Sequence, residues 1–297
     1  MSGGGLLVVG EVVTDVVVRH GAGPLHGTDT PASITTLPGG AGANAACWAA
    51  RSGCPDVRLL ARAGADSAAW HRDALRRAKV RPLLSVDEDA PTGTVVALVD
   101  PSAERTFLTD SGAVLRLSPG DWSPSLLDGA DRLHLSGYLL FASTSRATAA
   151  LALREARRRG VPVSVDPASA GFLAVLGADA FLDLVDGVDL LLPNADEARE
   201  LTGLPDPADA AAKLSRHARR VVVTLGDRGA LMASGGTVTG RVPATAARAP
   251  VDSTGAGDAF TGGFLAALLA GADEVSAASA GCRAGAEAVA TVGGRPA

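Results

Sequence analysis

The chain opens on an apolar run, LLVVGEVVTDVVV over residues 6–18, rich in β-branched residues and bounded by glycine-rich stretches. That pattern predicts one buried strand or two short ones, with Asp15 as the polar exception. A loop with Pro24, Pro31 and Pro38 follows, and then 41–52, alanine-rich and free of interior proline, predicts a helix stopped by Gly53. Further on, strand-like and helix-like runs alternate: 57–64 then 70–80, 132–137 then 144–159, 161–166 then helix, 188–193 then 196–201, and finally 220–226. Such alternation predicts βαβ units and an α/β fold with a mostly parallel central sheet flanked by helices.

Two stretches depart from it. Over 92–112, two strand-like runs flank Asp100, Pro101 and Ser102, which predicts a β-hairpin projecting from the main sheet. Residues 12–36 offer a similar excursion. With no internal repeat and no low-complexity linker, the economical division is a single domain over 1–297 carrying a small β appendage from about 12–36 and 92–112.

Composition narrows the class. A chain of 297 residues with 47% hydrophobic content can bury a substantial core. Its net charge of -5 and 3% aromatic content give no footprint for nucleic acid, and Arg154, Arg157, Arg158 and Arg159 follow helical spacing as a solvated helix end. Cys47, Cys54 and Cys282 form neither a CxxC pair nor a cluster with histidine, which argues for a reducing compartment. The start lacks a basic leader segment, and Glu11 and Asp15 interrupt its apolar run well short of a membrane span. The expectation is a cytoplasmic protein without nucleic-acid or membrane partners.

The densest chemistry lies in VDSTGAGDAFTGGFLAALLAG, residues 251–271. Phe260, Phe264, Ala267 and Leu268 share one helical face and Gly271 supplies a stop, so a helix begins near 255–258. A helix start presents unpaired N–H groups and a partial positive charge, and Gly255, Ala256 and Gly257 would let an anion reach them. Asp258 beside such an anion is a candidate general base. Equally, Asp252 and Asp258 read as a cap and a first-turn acid, and spacing alone does not separate the two readings. No lysine follows these glycines, so this is not a GxxxxGK[ST] phosphate loop. Gly40 to Ala45 matches G-x-G-x-x-A, yet it follows Leu37 and Pro38, which do not read as a hydrophobic strand.

Three ordered segments, LPGGAGANAA (37–46), PNADEA (193–198) and VDSTGAGDAFTGGF (251–264), with VVVTLGDRGA (221–230) between the last two, resemble the ribokinase-like, phosphofructokinase-B type carbohydrate kinases. The resemblance implies a three-layer ribokinase-like fold with a β lid from about 12–36 and 92–112. It implies transfer of a phosphoryl group from ATP, with Mg²⁺, to a hydroxyl of a sugar or sugar-like molecule. Asp258 matches the base that deprotonates the acceptor, and Gly255, Ala256 and Gly257 match the anion hole. Asp15, Gly39, Gly40 and Asn44 match acceptor-binding positions. Asn194, Thr224, Gly226 and Gly229 match the nucleotide side, and Glu197 matches a carboxylate that orders Mg²⁺ through water; a helix cap explains Asn194 and Glu197 equally well. Asp252 matches a loop-organising residue bordering a monovalent-cation site, hence K⁺, although the short end VGGRPA only loosely matches the region that completes it.

Further expectations follow from the same resemblance. A homodimer would form through the lid. Arg105, Phe107 and Thr109 share one hairpin face and read equally as a packing set, and Tyr138 reads as a pocket residue or as core. Glu11 receives no role. A nucleoside kinase is the alternative on the same scaffold, and the scarcity of stacking candidates (Tyr138, Phe107, Phe172 and Trp48) favours a plain sugar. A non-catalytic sugar-binding or regulatory protein is the other alternative, against which Asp258, Asn194 and Glu197 stand.

Overall fold

The opening apolar run divides at Gly10 into two strands that enter different sheets: β1 (Gly5–Val9) is buried on both faces, whereas β2 (Val13–His20) is buried only in part. The computed structural model describes residues 4–21, 23, 26–100, 105–247 and 251–296. After β2 come β3 (Ala32–Gly39), α1 (Ala41–Arg51), β4 (Asp56–Gly64), α2 (Ala68–Arg77), β5 (Val80–Asp87), β6 (Gly93–Val99) and β7 (Arg105–Asp110). The chain continues through β8 (Arg132–Ser136), α3 (Ser143–Arg159), β9 (Val163–Asp166), α4 (Ala170–Leu176), α5 (Ala178–Val185), β10 (Leu190–Leu191), α6 (Ala195–Thr202) and α7 (Pro207–Leu214). It ends with β11 (Val221–Thr224), β12 (Ala230–Ser234), β13 (Thr237–Val242), α8 (Ala256–Leu269) and α9 (Glu274–Ala288).

The larger sheet runs β13-β12-β11-β10-β9-β8-β1-β4-β5, parallel from β11 to β5. Alternate residues of its strands feed two cores. Leu7, Val9, Leu133 and Val165 pack on the side of α3 to α7, while Leu6, Val8, Leu59 and Val222 pack on the side of α1, α2, α8 and α9. Helices on both faces of a parallel sheet give the three layers the alternation predicts.

Differences from the sequence reading fall at the sheet's ends. The helix expected to reach Val80 stops at Arg77, Lys79 takes a left-handed turn (φ 61°), and Val80 begins β5. β5 carries Pro82, which an edge strand tolerates because one side of it has no ladder to break. At the other edge β12 and β13 pair antiparallel, a hairpin that strand–helix alternation does not signal. Among the described residues no helix is long and apolar enough to cross a membrane.

The second sheet, β3-β2-β6-β7, is drawn from both excursions, with β2 antiparallel to β3 and parallel to β6. Pro24, Pro101, Ser102 and the side chain of Arg105 lie outside the described residues. At the base of β6, the N–H and hydroxyl of Thr92 donate to Asp66 Oδ1 at 2.9 and 3.0 Å, and Gly64 N–H donates to the Thr92 hydroxyl at 2.9 Å. The small sheet is thereby fixed to the end of β4.

Candidate active site

The carboxyl ends of the parallel strands and the inner face of the small sheet enclose a cavity of about 620 Å³. Asp15 from β2, Asn44 from α1 and Asp258 from α8 all line it. Open α/β sheets place ligands at this edge because the strands end there and helix starts face inward.

Asp258 stands in the first turn of α8, capped by Gly255 in a left-handed conformation (φ 74°). A Cβ on Gly255 would strike the Gly294 backbone, so glycine is needed for both torsion and contact. The first i→i−4 bond of the helix runs from Ala259 N–H to Gly255 O at 2.8 Å, and the amides of Gly257 and Asp258 precede it. Ala256 N–H donates over a longer 3.3 Å to Ser253 O. Gly257 is exposed with open space where a Cβ would stand. An anion can approach there closely, with the helix dipole favouring it.

Asn44 Nδ2 donates to Asp258 Oδ2 at 2.8 Å. Burial raises the Asp258 pKa well above the ordinary carboxylate range, the Asn44 bond pulls it back, and Asp166, Glu11 and Asp15 push it up again. A carboxylate whose proton affinity is raised above the ordinary range suits abstraction of a hydroxyl proton.

Gly39 lies against Asp15 so closely that a Cβ would run into its carboxylate. Gly40 caps α1 at φ 100°, and Gly42 N–H donates to Glu11 Oε1 at 3.0 Å. Asp15 is pushed up to about 6 by burial; Arg295 opposes this and Asp252 adds to it.

Of the positions that the resemblance assigns to the nucleotide, Asn194 and Thr224 are bridged at the ends of neighbouring strands. Asn194 and Glu197 form a complete capping box on α6: Asn194 N–H and Nδ2 donate to the two Glu197 oxygens at 2.8 Å, and Glu197 N–H donates to Asn194 Oδ1 at 2.9 Å. Burial and the Asp166 carboxylate nonetheless push Glu197 up to about 8. Gly226 is left-handed (φ 62°) and open to solvent. Gly229, at φ 89°, abuts the Val242 carbonyl, so the turn into β12 by itself accounts for that glycine.

Asp252 Oδ1 accepts from Thr254 N–H at 2.8 Å and its Oδ2 from Gly293 N–H at 3.1 Å, which joins the loop before α8 to the C-terminal segment. The same segment is held by Trp48 Nε1 donating to Gly294 O at 2.9 Å and by Arg295 Nη2 donating to Gly39 O at 2.8 Å. Trp48 is fully buried and does not line the cavity.

Several site residues escaped the sequence reading. Glu11 lines the cavity, 3% exposed, and burial raises its pKa. Asp166 ends β9, accepts from Ala168 N–H at 2.8 Å and from the Thr261 hydroxyl at 3.3 Å, and is pushed up to about 6 by burial. A polar residue closing a buried parallel strand was the available signal. Arg295 had none: its Nε and Nη1 are buried without a hydrogen-bond partner among the described residues, beside the Gly39 carbonyl that its Nη2 holds. Phe141 also lines the cavity.

A three-layer α/β sheet with a small β-sheet over its carboxyl edge defines a ribokinase-like kinase fold. The chain belongs to the pfkB family of carbohydrate kinases: the family's sequence profile, described as pfkB family carbohydrate kinase, matches residues 5–297. It is 33% identical over 280 residues to a fructokinase from Klebsiella pneumoniae (90% of this chain, 85% of the relative). It is 28% identical over 288 residues to a ribokinase from Arabidopsis thaliana (90% and 71%). An adenosine kinase from Sinorhizobium meliloti shares the fold with a TM-score of 0.88 at 22% identity, covering 99% of this chain and 96% of that one.

Proposed function

We propose that this kinase transfers the γ-phosphoryl group of ATP to a hydroxyl of a sugar or sugar-bearing molecule held between Asp15, Asn44 and Asp258. One observation carries the reading: a carboxylate with raised proton affinity stands one residue beyond an exposed, unobstructed helix-start glycine, at the wall of a cavity that the small sheet lines on one side. Phosphoryl transfer needs in-line positioning and charge stabilisation above all, and a base beside an anion site supplies both.

In this reading Asp258 takes the hydroxyl proton, the amides from Gly255 to Gly257 receive the transferred phosphate, and Asp15, Gly39, Gly40 and Asn44 hold the acceptor. Asn194, Thr224 and Gly226 meet the nucleotide phosphates, with Gly229 shaping the turn behind them. Magnesium supplies charge neutralisation on the phosphates. Glu197 and Asp166, buried and mutually repelling, suit a divalent cation carried there through water. Asp252 borders the place for a monovalent cation such as K⁺, while its oxygens accept backbone N–H groups of two segments.

The small sheet acts as a lid that keeps water from accepting the phosphate. Its outer face carries Val16, Val18, Val96 and the exposed Ile34 and Leu108 (64% and 58%), an apolar patch that suits a homodimer paired lid to lid. The three free, buried cysteines suit a cytoplasmic setting.

A coupled assay of ADP release with ATP and Mg²⁺, run over pentoses, hexoses, sugar acids and nucleosides, tests the proposal. Turnover of a hydroxylated acceptor is expected. No ADP above background with any of them would favour a non-catalytic sugar-binding or regulatory protein.

A further inference from the structure

The charged groups of the cavity, Glu11, Asp15 and Asp258, gather with Asn44 at one place, and most of the remaining wall is hydrocarbon, broken by the hydroxyls of Thr109, Ser111, Ser169 and Thr254. One side of that wall is a cluster of three rings that the sequence scatters between positions 138 and 172. Phe141 and Phe172 stack with centroids 5.0 Å apart at 29°, and Tyr138 meets Phe172 edge-on at 5.6 Å and 80°. The opposite side is the inner face of the lid, where Val17, Val95, Ala97 and Phe107 line the same space. All three clustered rings are half-buried, so they present surface to the cavity instead of filling the core.

A free pentose or hexose carries hydroxyls around its ring. Seated at the acidic end, it would leave the aromatic and aliphatic walls facing water; seated against those walls, it would bury most of its hydroxyls against hydrocarbon. The geometry points to an acceptor of two parts: a hydroxylated sugar for the acidic end, and a flat, weakly polar ring for the slot between the Phe141–Phe172 stack and the lid. Tyr138 spans the two parts. Its ring belongs to the aromatic cluster, while its phenol faces the charges of Glu11, Asp258, Asp166 and Glu197, which together with burial raise its pKa. We propose that the acceptor is a nucleoside, with Phe172 and Tyr138 determining specificity through contact with the base. This rests on the kinase reading above and names the acceptor within it.

The test compares kcat/KM in the ADP assay for D-ribose, D-fructose and the purine and pyrimidine ribonucleosides. At least one nucleoside is expected to exceed ribose by about a hundredfold. In Phe172→Ala, and in Phe172→Leu, which keeps apolar volume but loses the flat ring, the nucleoside-to-ribose ratio should fall about tenfold, equivalent to about 1.4 kcal/mol. Ribose or fructose surpassing every nucleoside, or a ratio unmoved by both Phe172 variants, would overturn the assignment while leaving the kinase intact. Silence from all acceptors, with ATP binding retained, would overturn the kinase reading and this one together.

Discussion

The side-chain amide of Asn44, at the start of α1, donates to the carboxylate of Asp258, at the start of α8, over 2.8 Å and across 214 residues of chain. Removing that donor in Asn44→Ala leaves burial and the neighbouring carboxylates unopposed at Asp258. The Asp258 pKa should then rise further, so the acid limb of the pH–rate profile moves to higher pH, and kcat/KM near neutral pH falls about tenfold or more. An acid limb at the wild-type position would show that the contact does not tune the base.

Asp258→Ala removes the proposed base and leaves the helix start in place. ADP production is expected to fall by at least about a hundredfold while ATP affinity, read by calorimetry, stays near the wild-type value. Retention of more than about a tenth of the rate would rule out the assigned role.

Under the proposed function Arg295 is a positioning residue: Nη2 donates to the Gly39 carbonyl, and its charge lowers the Asp15 pKa, which burial has pushed up to about 6. In Arg295→Gln the acceptor KM should rise about tenfold with kcat changed far less, because binding is disturbed more than the chemical step. The acid limb of 1/KM should move upward, and Arg295→Lys should restore part of both effects. A purely structural role would lower stability without moving that limb.

Glu197 and Asp166 give the free protein a pH signature. Their pKa values lie at about 8 and about 6 in the folded chain, above the ordinary 4.5 and 3.8. The folded state therefore holds more protons than the unfolded state across that window. These groups stabilise the fold least once both are ionised, and the stability they confer at acid pH is lost as pH rises through the folded values. Thermal unfolding should show Tm falling by a few degrees between about pH 6 and about pH 8.5, and Glu197→Gln should flatten the slope. Saturating Mg·ATP should raise Tm more at the alkaline end, where its positive ion meets two carboxylates. A slope unchanged by Glu197→Gln would place the alkaline titration elsewhere.

The alternation of apolar runs with amphipathic ones was enough to determine the parallel sheet, its flanking helices and the two excursions that make the small sheet. Local pattern reports these because each rests on the period of its own segment. Edge strand β5 and the β12–β13 hairpin carry mixed, weakly periodic residues, and only pairing with their neighbours makes strands of them. The helix start at Gly255 to Asp258 was legible in the residue types of its own segment, whereas Asn44 was singled out by the resemblance alone, and only the fold sets it against Asp258. Glu11, Asp166 and Arg295 were not legible: a carboxylate or guanidinium gains its role from the charges folded around it, and those come from distant segments. The same holds for Tyr138, Phe141 and Phe172. As a count they look too few to define a pocket, and the tertiary structure makes them one wall because the loops after β8 and β9, adjacent strands in the sheet, leave it side by side.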